Sequence, residues 1–448
     1  MGVGALGSAA RTARTVPLGV ERPLAVGVIT AAIAFAALTK GAFYDHDRAL
    51  LLGLVALPAL VLFRPWRRPR VAAPQLAALA LGVSAAVSGI VNGRSRAGLA
   101  TAALLLAAAV LVESARRLRP TDRAQLADAL VWLGAGVGLI GWWAVAVRWW
   151  PYALPDQGLW RAATTFTYAN ASAPFLVPLF LVAVVRPGPV LIPYALLVSV
   201  GATQSRGGVL ALALGAVVLL AAVPKHDRAT TFTRLAAAGA GAAVAVTALL
   251  PLTPLAAAPN TALAVIALGG GALLAHALAA LPVRALLAMA GVAAVLTVYA
   301  VVSVPTVREA RAGLNSQDRV DEAVAAFRTW QQHPLLGAGA GIDFTYIAGD
   351  GRGPMRARFA HNEYLQLLAE QGLLGAVALA AGAAATGRAL SRARHRLQDV
   401  PPPLWAGCVA ALAAFFAHSA LDFIWHIPAL PLLAAALLGL ALPRKELS

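Results

Sequence analysis

The chain has one cysteine, Cys408, three methionines and only 12% charged side chains in 448 residues. A single thiol inside an apolar run excludes a disulfide framework and a cysteine metal site. Soluble domains carry roughly a quarter charged residues, so this charge content argues against water as the surroundings. Acidic residues are the scarcer sign, 19 Asp and Glu against 36 Lys and Arg, for a formal charge of +17. In a soluble protein that excess would suggest nucleic acid, so the placement of the charges has to decide. A P-loop, a Gly-x-Ser-x-Gly elbow and a zinc-protease motif are absent, as is an internal repeat of the kind that marks many transporters. What is abundant is apolar mass: 60% of the residues, more than a globular core could hide.

A membrane helix needs about 20 mostly apolar residues, and shorter runs serve when they are shielded or flanked by snorkelling side chains. Fourteen segments qualify. They lie near Leu24 to Thr39, Ala49 to Phe63, Val71 to Asn92, Ala97 to Val112, Leu126 to Val147, Ala169 to Val185 and Pro189 to Ala202. The rest lie near Val209 to Val223, Leu235 to Leu255, Ala262 to Leu281, Ala285 to Pro305, Leu365 to Thr386, Leu404 to Leu421 and Pro428 to Pro443. The expected fold is therefore an all-α, polytopic transmembrane bundle of about 12–14 spans. No cleavage site follows the first span, and the flank with Arg11, Arg14 and Arg22 suits a retained anchor.

Lys and Arg are retained on the cytoplasmic side. With both termini inside, 22 basic and 7 acidic residues fall inside, against 14 and 12 outside. The inside total includes the Arg64 to Arg70, Arg116 to Arg123 and Arg388 to Arg396 clusters. The positive excess is thus a topology signal and needs no nucleic acid. It predicts a multi-pass membrane protein with lipid as its surroundings, and the alanine-rich, arginine-rich composition suggests a bacterium, hence its cytoplasmic membrane. One connection is long, from Thr306 to about Tyr364 on the outer face, and it divides the chain into a bundle of about 11 spans over 1–305, a loop over 306–364 and about three further spans over 365–448. Within the loop, Arg319 to Gln331 reads as an amphipathic helix that His333-Pro334 stops, before a turn with Gly337, Gly339 and Gly341.

Three places put polar chemistry at the outer edge. Gln204-Ser205-Arg206-Gly207-Gly208 closes the seventh span, where an arginine fork next to bare backbone can take a phosphate; a snorkelling arginine would look the same. Arg319 and Arg328 are nine residues apart on the loop helix, two and a half turns, so one of them is expected to face a site. A solvated helix with Arg319 paired to Glu322 is the alternative. Asn362 is an N-cap that sets His361 at the start of the re-entering helix, where the helix dipole favours anions and a neutral imidazole. A simple interfacial cap remains the other reading of His361. Asp45-His46-Asp47 is a D-x-D pair or a charged connector. His418, Asp422 and His426 have i, i+4, i+8 spacing, although Pro428 makes a continuous helix and a metal site doubtful. His276 sits within an apolar span and reads as packed.

The stretch Asp318-Arg319-Val320 through Phe327, then His333-Pro334-Leu335-Leu336-Gly337-Ala338-Gly339, then His361-Asn362-Glu363-Tyr364-Leu365-Gln366 to Gly375, resembles the O-antigen ligase and polymerase family. Thr165 to Asn170 and Ser205-Arg206-Gly207 extend the resemblance, which covers about residues 160 to 380. Ala323 stands where the family often has a tryptophan. The resemblance implies a membrane glycosyltransferase, without cofactor or metal, that moves a glycan from a polyprenyl diphosphate to a hydroxyl of a glycan or lipid acceptor. It implies Arg206 and Arg319 on the diphosphate, His361 as general base, and Asn170, Gln204, Gly339, Asn362 and Tyr364 in substrate binding. A polymerase of the same family and a transporter sharing the domain are the alternatives.

Overall fold

The structure, a computed structural model, describes residues 21–62, 73–282, 301–311, 317–348, 353–395 and 400–444, with scattered positions between 283 and 300. It is 77% helical. The helices are α1 (Glu21–Leu38), α2 (Asp45–Leu62), α3 (Ala73–Val91), α4 (Ser95–Arg116), α5 (Pro120–Val147), α6 (Ala169–Val185), α7 (Leu191–Thr203) and α8 (Arg206–Ala222). They continue as α9 (Arg228–Leu249), α10 (Thr261–Leu278), α11 (Pro305–Arg311), α12 (Gln317–Gln332), α13 (Glu363–Arg394), α14 (Pro402–Ser419) and α15 (Ala429–Ala441). Among the described residues, seven helices are long and apolar enough to cross a membrane, and five shorter apolar helices accompany them. The chain is thus an all-α polytopic membrane bundle. Arg11, Arg14, Arg64 to Arg70, Arg284, Arg396 and Lys445, on which much of the expected orientation rests, lie outside the described residues, as does part of the segment from 285 to 305.

The short helices have a physical reason. The bilayer core is about 30 Å thick, yet α7 and α15 have 13 residues each. Most of their residues are buried against other helices, as are nearly all of those of α6, so their ends meet protein instead of lipid. Lipid tails are as apolar as Leu, so helices associate here through close packing. Gly134 and Gly138 of α5 admit Leu179 of α6 and Ser199 of α7, and Gly241 of α9 meets the backbone of Gly271 on α10. Central α6 keeps Pro174 and Pro178 inside this packing.

Connections at one end of the bundle converge. There, the turn after α3 receives the long loop, with Asn92 and Arg94 donating to the carbonyls of Gly337 and Gly341. Two hairpins, which the hydropathy pattern did not announce, lie at this end. In β1 (Ala153–Asp156) and β2 (Leu159–Ala162), Ala153 pairs with Ala162 around a turn with positive φ at Gln157 and Gly158. In β3 (Phe344–Ala348) and β4 (Gly353–Ala357), Phe344 pairs with Ala357.

The span expected near Leu365 to Thr386 is not one continuous helix. Gly372 breaks α13 with φ 61° and ψ −156°. The segment after α12 repairs the break: Pro334 and Leu335 accept from the amides of Leu373 and Leu374, and the amides of Ala338 and Gly339 donate to Ala369 and Glu370. The His-Pro stop and the three positive-φ glycines at 337, 339 and 341 let the loop lie against that break.

Candidate active site

α12 and α13 bring the loop's two chemical side chains together. His361 has a left-handed backbone, φ 47°, one residue before the N-cap Asn362, whose Oδ1 accepts from the amides of Tyr364 and Leu365. That strained conformation, uncommon outside glycine, turns the imidazole back toward the turn after α14. There His361 Nδ1 lies 2.9 Å from Asp422 Oδ1. Arg319 reaches the same turn, with Nη1 donating to the Leu421 carbonyl at 3.1 Å and Nη2 to Asp422 Oδ2 at 3.2 Å.

Asp422 is the hub. Its side chain is only 2% exposed, and the Tyr168 hydroxyl and the Phe423 amide also donate to it. Burial pushes its carboxyl up, but His361, Arg319 and His418 outweigh that and bring it down to about 2. An ionised Asp422 accepts a hydrogen bond from Nδ1–H of His361, which fixes the tautomer in which Nε2 carries the lone pair. On Tyr168, burial and then Asp422 push the phenol well above its ordinary range, so it stays a proton donor to the carboxylate. Asn170 Nδ2 donates to the Tyr168 oxygen, and Arg161 of β2 donates to Asn170 Oδ1 at 2.7 Å, to the Thr203 carbonyl at 2.9 Å and to Asp156. Phe423 stacks between Tyr168 and Phe359, and Phe359 touches His426. His426 in turn holds Glu363 at 3.2 Å. Burial alone would lower that imidazole, but Glu363 and Glu370 raise it to about 10.

A cavity of about 470 Å³ opens above this network, lined by Arg161, Asn170, Gln204, Arg206, Arg319, His361 and Asp422 among others. Ser205 caps α8 by accepting from the Gly208 amide, which sets Arg206 at the first helical position. Arg206 has no hydrogen-bond or ion-pair partner among the described residues, whereas Arg161 and Arg319 are committed in part to Asp156 and Asp422. Three guanidiniums against two carboxylates leave the cavity positive, with Arg206 as the uncommitted fork. A groove of about 480 Å³ on the other side shares Arg319, His361 and Leu421 with it and follows α12 past Ala323, Phe327 and Arg328 to Asn362.

His361, Arg319, Arg206, Asn170 and Gln204 therefore share one cavity, and Asn362 lines the groove. Tyr364 lines neither; its hydroxyl donates to the Phe416 carbonyl. Gly339 lines neither as well; it packs on Arg94 and Asn92, where a Cβ would come within 2.9 Å. Arg328 shares the groove with Arg319, although helical spacing alone put them on different sides. The D-x-D pair forms the first turn of α2, with Asp45 bonded to Arg96. α14 ends at Ser419, so His418, Asp422 and His426 do not share a helix face, and no metal-holding group of His, Cys, Asp or Glu occurs among the described residues. Reasoning from the sequence missed Tyr168 and Arg161 as site residues, and weighed Asp422 only as part of a metal group with His418 and His426. The only signal for Asp422 was its place between two histidines in an otherwise apolar tail.

No curated protein matches this chain. Residues 194–380 match the family model described as O-antigen ligase, a segment running from α7 into α13 that includes Arg206, Arg319 and His361. That segment, which supplies two of the cavity's three guanidiniums and His361, is where the chain is similar to the O-antigen ligase family.

Proposed function

We propose that this membrane protein transfers a glycan from a polyprenyl diphosphate to an acceptor hydroxyl on the outer face of the cytoplasmic membrane. The family match supports a glycosyltransferase-like role in polysaccharide synthesis. The observation that carries the finer reading is the joining of an Asp422-oriented His361 to three guanidiniums in one cavity at the loop-bearing end of the bundle.

In this reading the diphosphate sits on Arg206, with Arg319 and Arg161 beside it, and their positive charge stabilises the negative charge that grows as it leaves. His361 takes the acceptor's proton on Nε2, and Asp422 holds the tautomer and steadies the imidazolium. Asn170 and Gln204 border the same space and suit sugar hydroxyls. The reaction calls on no metal or cofactor. The basic excess predicted for the side opposite the loop supports an outer-face position for this cavity.

The test is glycan transfer in cells and in membranes carrying single variants. His361→Ala, Arg206→Ala and Arg319→Ala are each expected to lower transfer by about 10²-fold or more while membrane abundance stays unchanged. Wild-type transfer in the His361→Ala protein would remove the base. In cells lacking the protein, accumulation of long carrier-linked chains indicates a ligase and of single repeat units a polymerase. No accumulation of either rejects both.

A further inference from the structure

The loop helix brings a second carboxylate to His361. Nδ1 is held by Asp422, while Nε2 faces Glu322 of α12, whose Oε2 is 3.8 Å away. The Glu322 side chain is nine-tenths buried, and Oε2 has no hydrogen-bond partner among the described residues. Buried polar atoms are ordinarily bonded, and an orphaned carboxylate oxygen is costly. Burial pushes the Glu322 carboxyl up from its ordinary range, and His361 and Arg319 draw it back. The groups around this pair are Asp422 from the turn after α14, Arg319 and Asp318 from α12, and His418 behind Asp422.

We propose that Glu322 is a positioning residue for the transfer, the carboxylate that stabilises the imidazolium formed when His361 takes the acceptor's proton. This rests on the transfer reading above. In that step the hydroxyl proton moves to Nε2, the acceptor oxygen bonds the anomeric carbon, and the carbon–oxygen bond to the diphosphate breaks with its electron pair on the diphosphate. His361 gains one positive charge, which Arg319 opposes and which a carboxylate on each side offsets. A separation of 3.8 Å is too long for a hydrogen bond before the step, so Nε2 keeps its lone pair for the acceptor. The groove along α12 opens onto the same histidine and gives the hydroxyl a route separate from the diphosphate cavity.

The experiment uses the full chain in lipid nanodiscs and diethyl pyrocarbonate, which modifies neutral imidazole, with His361 followed by peptide mass spectrometry across pH. Removing the carboxylate as Glu322→Gln is expected to move the midpoint of His361 modification down by ~0.5 pH unit or more and to lower transfer kcat about tenfold at unchanged donor KM. Glu322→Asp, with its charge drawn back by one methylene, is expected to shift the midpoint less in the same direction and to keep more of the kcat. An unchanged or raised midpoint in Glu322→Gln overturns the proposal, and if that variant does not insert, an unchanged or raised midpoint in Glu322→Asp does the same. If the wild-type chain transfers no glycan, the transfer reading falls on its own, while the His361 titration still decides whether Glu322 acts on the imidazole.

Discussion

A neutral histidine serves as a base only if its proton sits on the nitrogen that faces away from the acceptor. Here that condition is met by Asp422, fully ionised and 2.9 Å from Nδ1. Asp422→Asn keeps the shape and the reach of the side chain but can present its amide N–H to Nδ1 and favour the other tautomer. Transfer is expected to fall by about 10²–10⁴-fold, with donor binding retained because Arg206 is untouched. Labelled donor retained on washed membranes, set against transfer, separates the two effects. A fall in donor binding equal to the fall in rate would show that Asp422 acts mainly by holding Arg319. His361 was recognisable in the sequence because a histidine next to an N-cap asparagine is a local pattern. Asp422 was not, since its partners Tyr168, Arg319 and His361 lie 254, 103 and 61 residues away.

Among the elements, the broken helix α13 matters most to the site. Its first segment begins at His361's cap, and its break at Gly372 is bonded to the chain that follows α12. The two halves of the loop are thereby fixed to each other. A Cβ on Gly372 would stand 2.5 Å from the Leu335 carbonyl carbon, in a φ/ψ region that only glycine occupies readily. Gly372→Ala is expected to cost about 3 kcal/mol, a clash added to backbone strain, and to reduce folded yield in membranes. Size-exclusion yield and thermal unfolding of the purified variant check this. The hydropathy pattern located α6, α7 and α10 to within a few residues, because an apolar run and a capping residue are both local. It did not foresee the Gly372 break or the two hairpins, because these depend on backbone partners far along the chain.

Across the whole molecule, two charged latches close the loop-bearing end. One is Asp422 with His361 and Arg319, and the other is His426 with Glu363 and Glu370. Their pH signs are opposite. Asp422 is depressed from 3.8 to about 2, so its contribution is present above pH 3.8 and is lost as pH falls through 2. His426 is raised from 6.5 to about 10, so its contribution is complete below pH 6.5 and is lost as pH rises through 10. Thermal stability in nanodiscs is expected to decline from about neutral pH toward pH 10, and His426→Gln is expected to flatten that alkaline decline. An alkaline decline of equal size in the variant would place the titrating group elsewhere.

The reach of the Asp422 network also bears on where this protein can be divided. The segment from 194 to 380 holds the uncommitted arginine, the loop arginine and the histidine, yet Tyr168, Asn170 and Arg161 come before it and Asp422 comes after it. A fragment cut to those boundaries would keep the recognisable residues and lose the carboxylate that orients them. The boundary by which such a chain is recognised and the boundary within which it can act are different, and the second needs the apolar tail that carries no motif.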